Sequence, residues 1–205
     1  MNTEQSTNKR HAGRPRAFDR EQALHKAMEL FWRHGFEGTS TSMLTHAMGI
    51  SPPSLYAAFG SKEVLYQEAI NYYIANYGNF MGKAFAADTN TREAVHQMLH
   101  NAAVQFAGGT TPTGCMVSTG VLHSAPDVAQ VARHLTACRV SAREAILARL
   151  QLGQQRGEIP GDAELISLAG YFAATIQGMA IQAQDGASQA SLAAIADLAM
   201  HAWPE

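Results

Sequence analysis

Apolar residues recur every three or four positions through most of this chain, which is the spacing of one helix face meeting a core. The first such stretch carries Ala23, Leu24, Ala27, Met28, Leu30 and Phe31, with Asp19 as its cap and Gly35 as its stop. A second carries Met43, Leu44, Ala47 and Met48 behind the hydroxyls of residues 39–41, and Gly49 ends it where a left-handed residue is needed. Ile50 then drops inward, Ser51 caps a third helix with Pro52 and Pro53 in its first turn, and Leu55 and Phe59 form its buried side. Ser61 caps a long helix running through Tyr72, Tyr73, Tyr77 and Phe80. Further helices are predicted over 91–107, 115–122, 126–156, 163–184 and 188–203, separated by GGTTPTG at 108–114, 124–126, GEIPGD at 157–162, and Asp185 with Gly186. No strand-length alternation and no internal repeat interrupt this pattern, so the fold class is all-α.

Residues 1–17 break the pattern. They are polar and basic without apolar periodicity, and read as a flexible arm. Two helices around a glycine turn, the second presenting Ser54, Tyr56 and a proline edge, make a small surface that fits a major groove.

The stretch TSTSMLTHAMGISPPSLYAAFGSKE at 39–63, with AMELFWRHGFEGTS leading in at 27–40, closely resembles the tetracycline repressor family of transcriptional regulators over 18–72. Members carry the same helix, glycine turn and helix, followed by a Tyr, a Phe and a Lys like Tyr56, Phe59 and Lys62. The resemblance implies a helix-turn-helix DNA-binding domain at 18–64 and a helical regulatory and dimerisation domain at 65–205, binding a double-stranded operator as a homodimer and released by a small organic effector. It also implies that Tyr56 and Lys62 contact the DNA backbone. Pro52 stands where the family often has a basic or polar residue, which shifts base readout toward Ser54, thymine methyls and DNA shape.

A net charge of -2, taken as a total, opposes a nucleic-acid partner, but its distribution does the reverse. Through Lys62 there are eight basic and five acidic residues; the remainder has seven basic and twelve acidic. A cationic start on an acidic body favours one DNA-facing end. In the arm, Arg14 and Arg16 flank Pro15 in an extended basic segment suited to a narrow A·T-rich minor groove, although a solubilising tail has the same composition. Thr41 and Ser42, Ser51 and Ser54, and Lys62 sit at three helix starts, where free N–H groups attract phosphates, and plain capping is the competing role for the Ser and Thr residues; Pro52 and Pro53 supply the apolar edge of the reading surface.

The regulatory half is less legible. Tyr73, Tyr77, Phe80, Met98, Met116 and Phe172 are candidates to line an effector cavity, and equally suit an ordinary core. Cys115, expected to open the helix at 115–122, is a candidate redox or electrophile sensor, since a helix start favours the thiolate; a space-filling cysteine is the alternative. Glu93, His96 and His100 share a helix face with metal-ligand spacing, but such faces are commonly just solvated, and no metal or cofactor is expected. Small residues and apolar stripes on the last two long helices suit pairing with a second copy as well as intrachain packing. No apolar run approaches the roughly 20 residues that span a bilayer, and no signal peptide is evident, so the expected location is the cytoplasm with no membrane partner. The remaining alternative, an all-helical enzyme or carrier, lacks a metalloprotease motif, nucleophile elbow or phosphate-binding glycine loop.

Overall fold

The computed structural model describes residues 18–120 and 129–205, and these are helical throughout, with no strand among them. Helix α1 spans Arg20–His34; the Asp19 carboxylate accepts from the Glu21 and Gln22 amides, and Ala23, Leu24, Ala27, Met28, Phe31 and Trp32 form its buried side. Then follow α2 (Thr41–Met48), α3 (Pro52–Phe59) and α4 (Lys62–Asn76), the last capped by Ser61. The division expected at residue 64 falls in the first turn of α4, which runs through it unbroken.

Aromatic side chains bind α1 to α4 along their length. Phe31 meets Tyr66 edge-on at 4.8 Å between ring centroids, and Trp32 meets Tyr73 at 4.7 Å. Each such ring is fully or almost fully buried, and burying one contributes about 1.5–3 kcal/mol before the edge-to-face geometry adds to it. Below them, α5 (Phe80–Phe85) lies on α6 (Thr91–Phe106), which packs in turn against α7 (Ala129–Gln155), α8 (Leu165–Gln184) and α9 (Gln189–Ala199). A 3-10 turn, Met200–Ala202, follows α9.

Three sequence expectations change here. The long helix expected to continue through Phe80 stops at Asn76: the Tyr77 and Gly78 amides both donate to the Tyr73 carbonyl, closing the helix before α5 restarts at Phe80. The helix expected at 115–122 is not formed over its described part, residues 115–120, which make one turn closed by Thr119 N–H to the Cys115 carbonyl at 3.0 Å. This segment is held from both sides instead. The Gly114 amide donates to the Phe106 carbonyl at 2.9 Å, and a Cβ at Gly114 would stand 3.0 Å from the Ala180 carbonyl oxygen on α8. Finally, α8 is long and apolar enough to cross a membrane by length and composition, so the absence of such a run was overstated. Its Leu165, Ala169, Phe172, Ile176, Met179, Ala180 and Ala183 are buried in the core, whereas Ile166, Tyr171 and Ile181 are exposed.

Candidate nucleic-acid interface and internal cavity

The α2–α3 pair is built by its caps and its turn. Ser40 caps α2, accepting from the Met43 amide at 3.2 Å; of the three hydroxyls available there, Thr39 is buried and donates to the Gly35 carbonyl, and Thr41 begins the helix itself. Gly49 adopts φ 70°, ψ 33°, a left-handed conformation that costs a side chain-bearing residue energy, and lets the Ile50 amide reach back to the Thr45 carbonyl at 3.1 Å. Ser51 then caps α3, accepting from the Ser54 amide, with Pro52 and Pro53 in the first turn where no N–H is needed.

Leu44, Met48, Leu55 and Phe59 hold the pair against the core, which fixes what is left outside. Ser42, Ser51, Pro52, Pro53 and Tyr56 are exposed, and Thr41, Ser54 and Lys62 are half-buried. Tyr56 is 48% exposed although its neighbour Leu55 is fully buried, so its phenol stands off the surface. Lys62 lies with its ammonium 4.3 Å from the centre of the Phe36 ring, a cation–π contact that orients the side chain at the start of α4. Arg14 and Arg16 lie outside the described residues.

Sequence reasoning missed Arg20. Its guanidinium makes two hydrogen bonds to the Glu68 carboxylate, at 2.9 and 2.7 Å, donates to the Ala58 carbonyl at the end of α3, and lies 4.5 Å from the centre of the Phe59 ring. One cation from α1 therefore ties α3 to α4. The only sequence signal was an arginine in the first turn of a helix, a place that ordinarily disfavours positive charge.

A cavity of about 370 Å³ opens among α4, α5, α7, α8 and the segment after Gly114. Of the residues proposed from sequence, Tyr73 and Phe80 line it, as does Cys115. Tyr77, Met98, Met116 and Phe172 do not: Tyr77 packs on Trp32 and His25, and the other three are buried in the helical core. The wall is completed by residues that no periodicity marked, notably Arg139 and Ser141 on α7 and Gln177 on α8. Arg139 donates to the Val117 carbonyl at 3.0 Å and makes no salt bridge with a carboxylate among the described residues, leaving a cationic corner in a largely apolar space.

No helix starts at Cys115 among the described residues, so the dipole argument for a reactive thiolate has no helix to rest on. Its thiol is buried beside Tyr73. Burial, and then the neighbouring Cys115, push the Tyr73 phenol well above its ordinary pKa, which keeps it a neutral hydroxyl. Cys138, also on the cavity wall, is raised by burial as well and stays a thiol at neutral pH.

Away from both features, the shared face of Glu93, His96 and His100 is split by the fold. Glu93 is exposed near the start of α6, where its amide is bonded to the Asn90 cap. His96 and His100 instead turn toward α9, and both Nε2 atoms meet Oδ1 of Asp197, at 2.9 and 2.8 Å.

Comparison with known proteins agrees with this geometry. The family model described as "Bacterial regulatory proteins, tetR family" matches residues 23–69, which span α1 to α4. The chain is 35% identical over 198 residues to the HTH-type transcriptional repressor ComR of Escherichia coli (strain K12), covering 96% of this chain and 94% of that protein. It is 30% identical to the HTH-type transcriptional repressor BdcR of the same organism, covering 91% and 90%. Among solved structures, a cysteine mutant of the TetR family regulator CifR, complexed with 26-base-pair double-strand operator DNA, superposes with a TM-score of 0.89 at 37% identity, covering 94% of this chain and all of that one. An all-helical enzyme or carrier is thereby set aside. With a matched DNA-binding half and relatives aligned almost end to end, the chain belongs to the TetR family of bacterial transcriptional regulators.

Proposed function

We propose that this protein is a cytoplasmic, homodimeric repressor that grips a two-half-site DNA operator and releases it when a small organic effector fills the cavity beside Tyr73. The observation that carries the reading is the α2–Gly49–α3 pair, whose buried side is fully committed to the core while Ser42, Ser51, Pro52, Pro53 and Tyr56 remain outside. One reading helix of eight residues covers only a half-site, which calls for a second copy. The relatives named repressors, and the CifR complex with operator DNA, support the same role.

Release follows from the connection between cavity and reading pair. Tyr73 and Ile74 on α4 line the cavity, and Tyr73 is wedged against Trp32 of α1. An occupant that displaces Tyr73 therefore moves α4 and α1, and with them α2 and α3, changing the separation of the two half-site helices. The mostly apolar wall with Arg139 at one corner suits an effector with an apolar body and one anionic or carbonyl group.

A mobility-shift assay with the DNA upstream of the protein's own reading frame tests the reading. A sequence-specific complex containing two chains, competed by the same unlabelled DNA and not by random DNA, is the expected result. Equal affinity for both DNAs would reject operator recognition.

A further inference from the structure

We propose that His96, His100 and Asp197 form a binding site for a divalent transition metal of the zinc class, bridging α6 to α9. Two histidines four positions apart on a helix present both imidazoles to one side, the arrangement by which helical histidine pairs hold zinc. The third ligand arrives from the other end of the chain, on a separate helix: Asp197 Oδ1 lies 2.9 Å from His96 Nε2 and 2.8 Å from His100 Nε2. The three donor atoms all fall within 4.8 Å of one another, and the two rings meet edge-to-face at 4.5 Å.

As it stands, one carboxylate oxygen accepts from two imidazole N–H groups. A metal ion takes the place of those two protons. Tetrahedral bonds of about 2.0–2.1 Å set the ligand atoms roughly 3.3 Å apart, so each contact needs to open by only a few tenths of an ångström. The carboxyl of Asp197 is held below its ordinary pKa by its hydrogen bonds from His96 and His100, and is anionic at neutral pH. Two imidazoles and a carboxylate favour zinc, nickel or cobalt over calcium or magnesium, which prefer all-oxygen shells. The side chains are 35%, 37% and 61% exposed, so an ion enters directly from solvent and water completes the coordination.

The test uses the full chain without an affinity tag, stripped with chelator and titrated with Co(II) as a spectroscopic probe and Zn(II) as its competitor. One Co(II) per chain should bind with the visible absorption of a four- or five-coordinate site and be displaced by Zn(II). Melting temperature should rise by roughly 5–10 °C when the free ion is a hundredfold above its Kd. His100→Gln and His96→Gln should each lose the absorption and weaken binding at least about tenfold, while circular dichroism and operator binding persist. Asp197→Asn, which keeps a hydrogen-bond acceptor, should do the same, and serves if a histidine variant fails to fold. Equal uptake by wild type and His100→Gln would place the ions on scattered surface histidines and overturn the proposal, as would the absence of any saturable Co(II) spectrum.

Discussion

Tyr56 and Lys62 differ in what they leave behind when removed. Tyr56 is exposed and its phenol makes no hydrogen bond among the described residues, so Tyr56→Ala should leave the melting temperature unchanged while weakening binding to specific and nonspecific DNA alike, because phosphate contacts position without reading sequence. Lys62 also lies over Phe36, and Lys62→Ala should cost about 0.5–1 kcal/mol of stability in addition to flattening the salt dependence of DNA binding by about one unit of slope. A folded Lys62→Ala protein with an unchanged slope would remove Lys62 from the interface. At Gly153 the decisive neighbour is Thr91: an added Cβ would lie 2.5 Å from its Oγ1 and 2.8 Å from its Cβ, where α7 crosses the start of α6. Gly153→Ala gains helix propensity but overpacks a stiff, β-branched side chain, and a net loss of about 1–3 kcal/mol is expected in denaturant unfolding. No loss would mean that the crossing relaxes freely.

At the scale of elements, α2, α3 and α4 each begin at a serine cap; Ser51 and Ser61 were identifiable from sequence because a hydroxyl preceding a periodic apolar run has few other roles, whereas for α2 three adjacent hydroxyls at 39–41 narrowed the cap only to a group. Element ends were harder. The stop after Asn76 depends on two amides folding back onto Tyr73, and the missing helix at 115–120 depends on Gly114 fitting against α8, a partner about seventy positions away. The arm is an element of a different kind, defined only by composition. Deleting residues 1–17 should preserve helicity and dimerisation while reducing operator affinity, most for sites with A·T-rich flanks, as titrations on two flanking sequences would report. Identical affinity with and without those residues would reduce the arm to a tail.

For the molecule as a whole, the exposed sides of α8 and α9 carry Ile166, Tyr171, Ile181 and Leu198, with Gly170 half-buried and Ala174 and Gly178 exposed between them. Apolar residues around small ones allow close approach of a second copy of the same helices. Ile181→Glu together with Leu198→Glu should leave the monomer folded, since neither side chain is in the core, yet shift the protein to a monomer in sedimentation and abolish operator binding at concentrations where wild type is saturated. A double variant that stays dimeric would place the interface elsewhere.

By itself the sequence determined the all-helical class, the caps at Asp19, Ser51 and Ser61, the Gly49 turn and the family, because each is written in neighbouring residues whose local conformational preferences point the same way. It also indicated Tyr73 and Phe80, whose size and position on the helices after Ser61 made them candidates for any internal space. Tertiary structure alone decided the rest. Which large apolar residues face the cavity and which fill the core depends on how α7 and α8 close over α4, so Met98, Met116 and Phe172 were indistinguishable from lining residues, and Arg139 gave no local signal. The same holds for Arg20, which joins α3 and α4, and for Asp197, which rather than Glu93 meets His96 and His100. Contacts between residues far apart in the chain are set by packing of whole helices, and no periodicity within one helix encodes its partner's register.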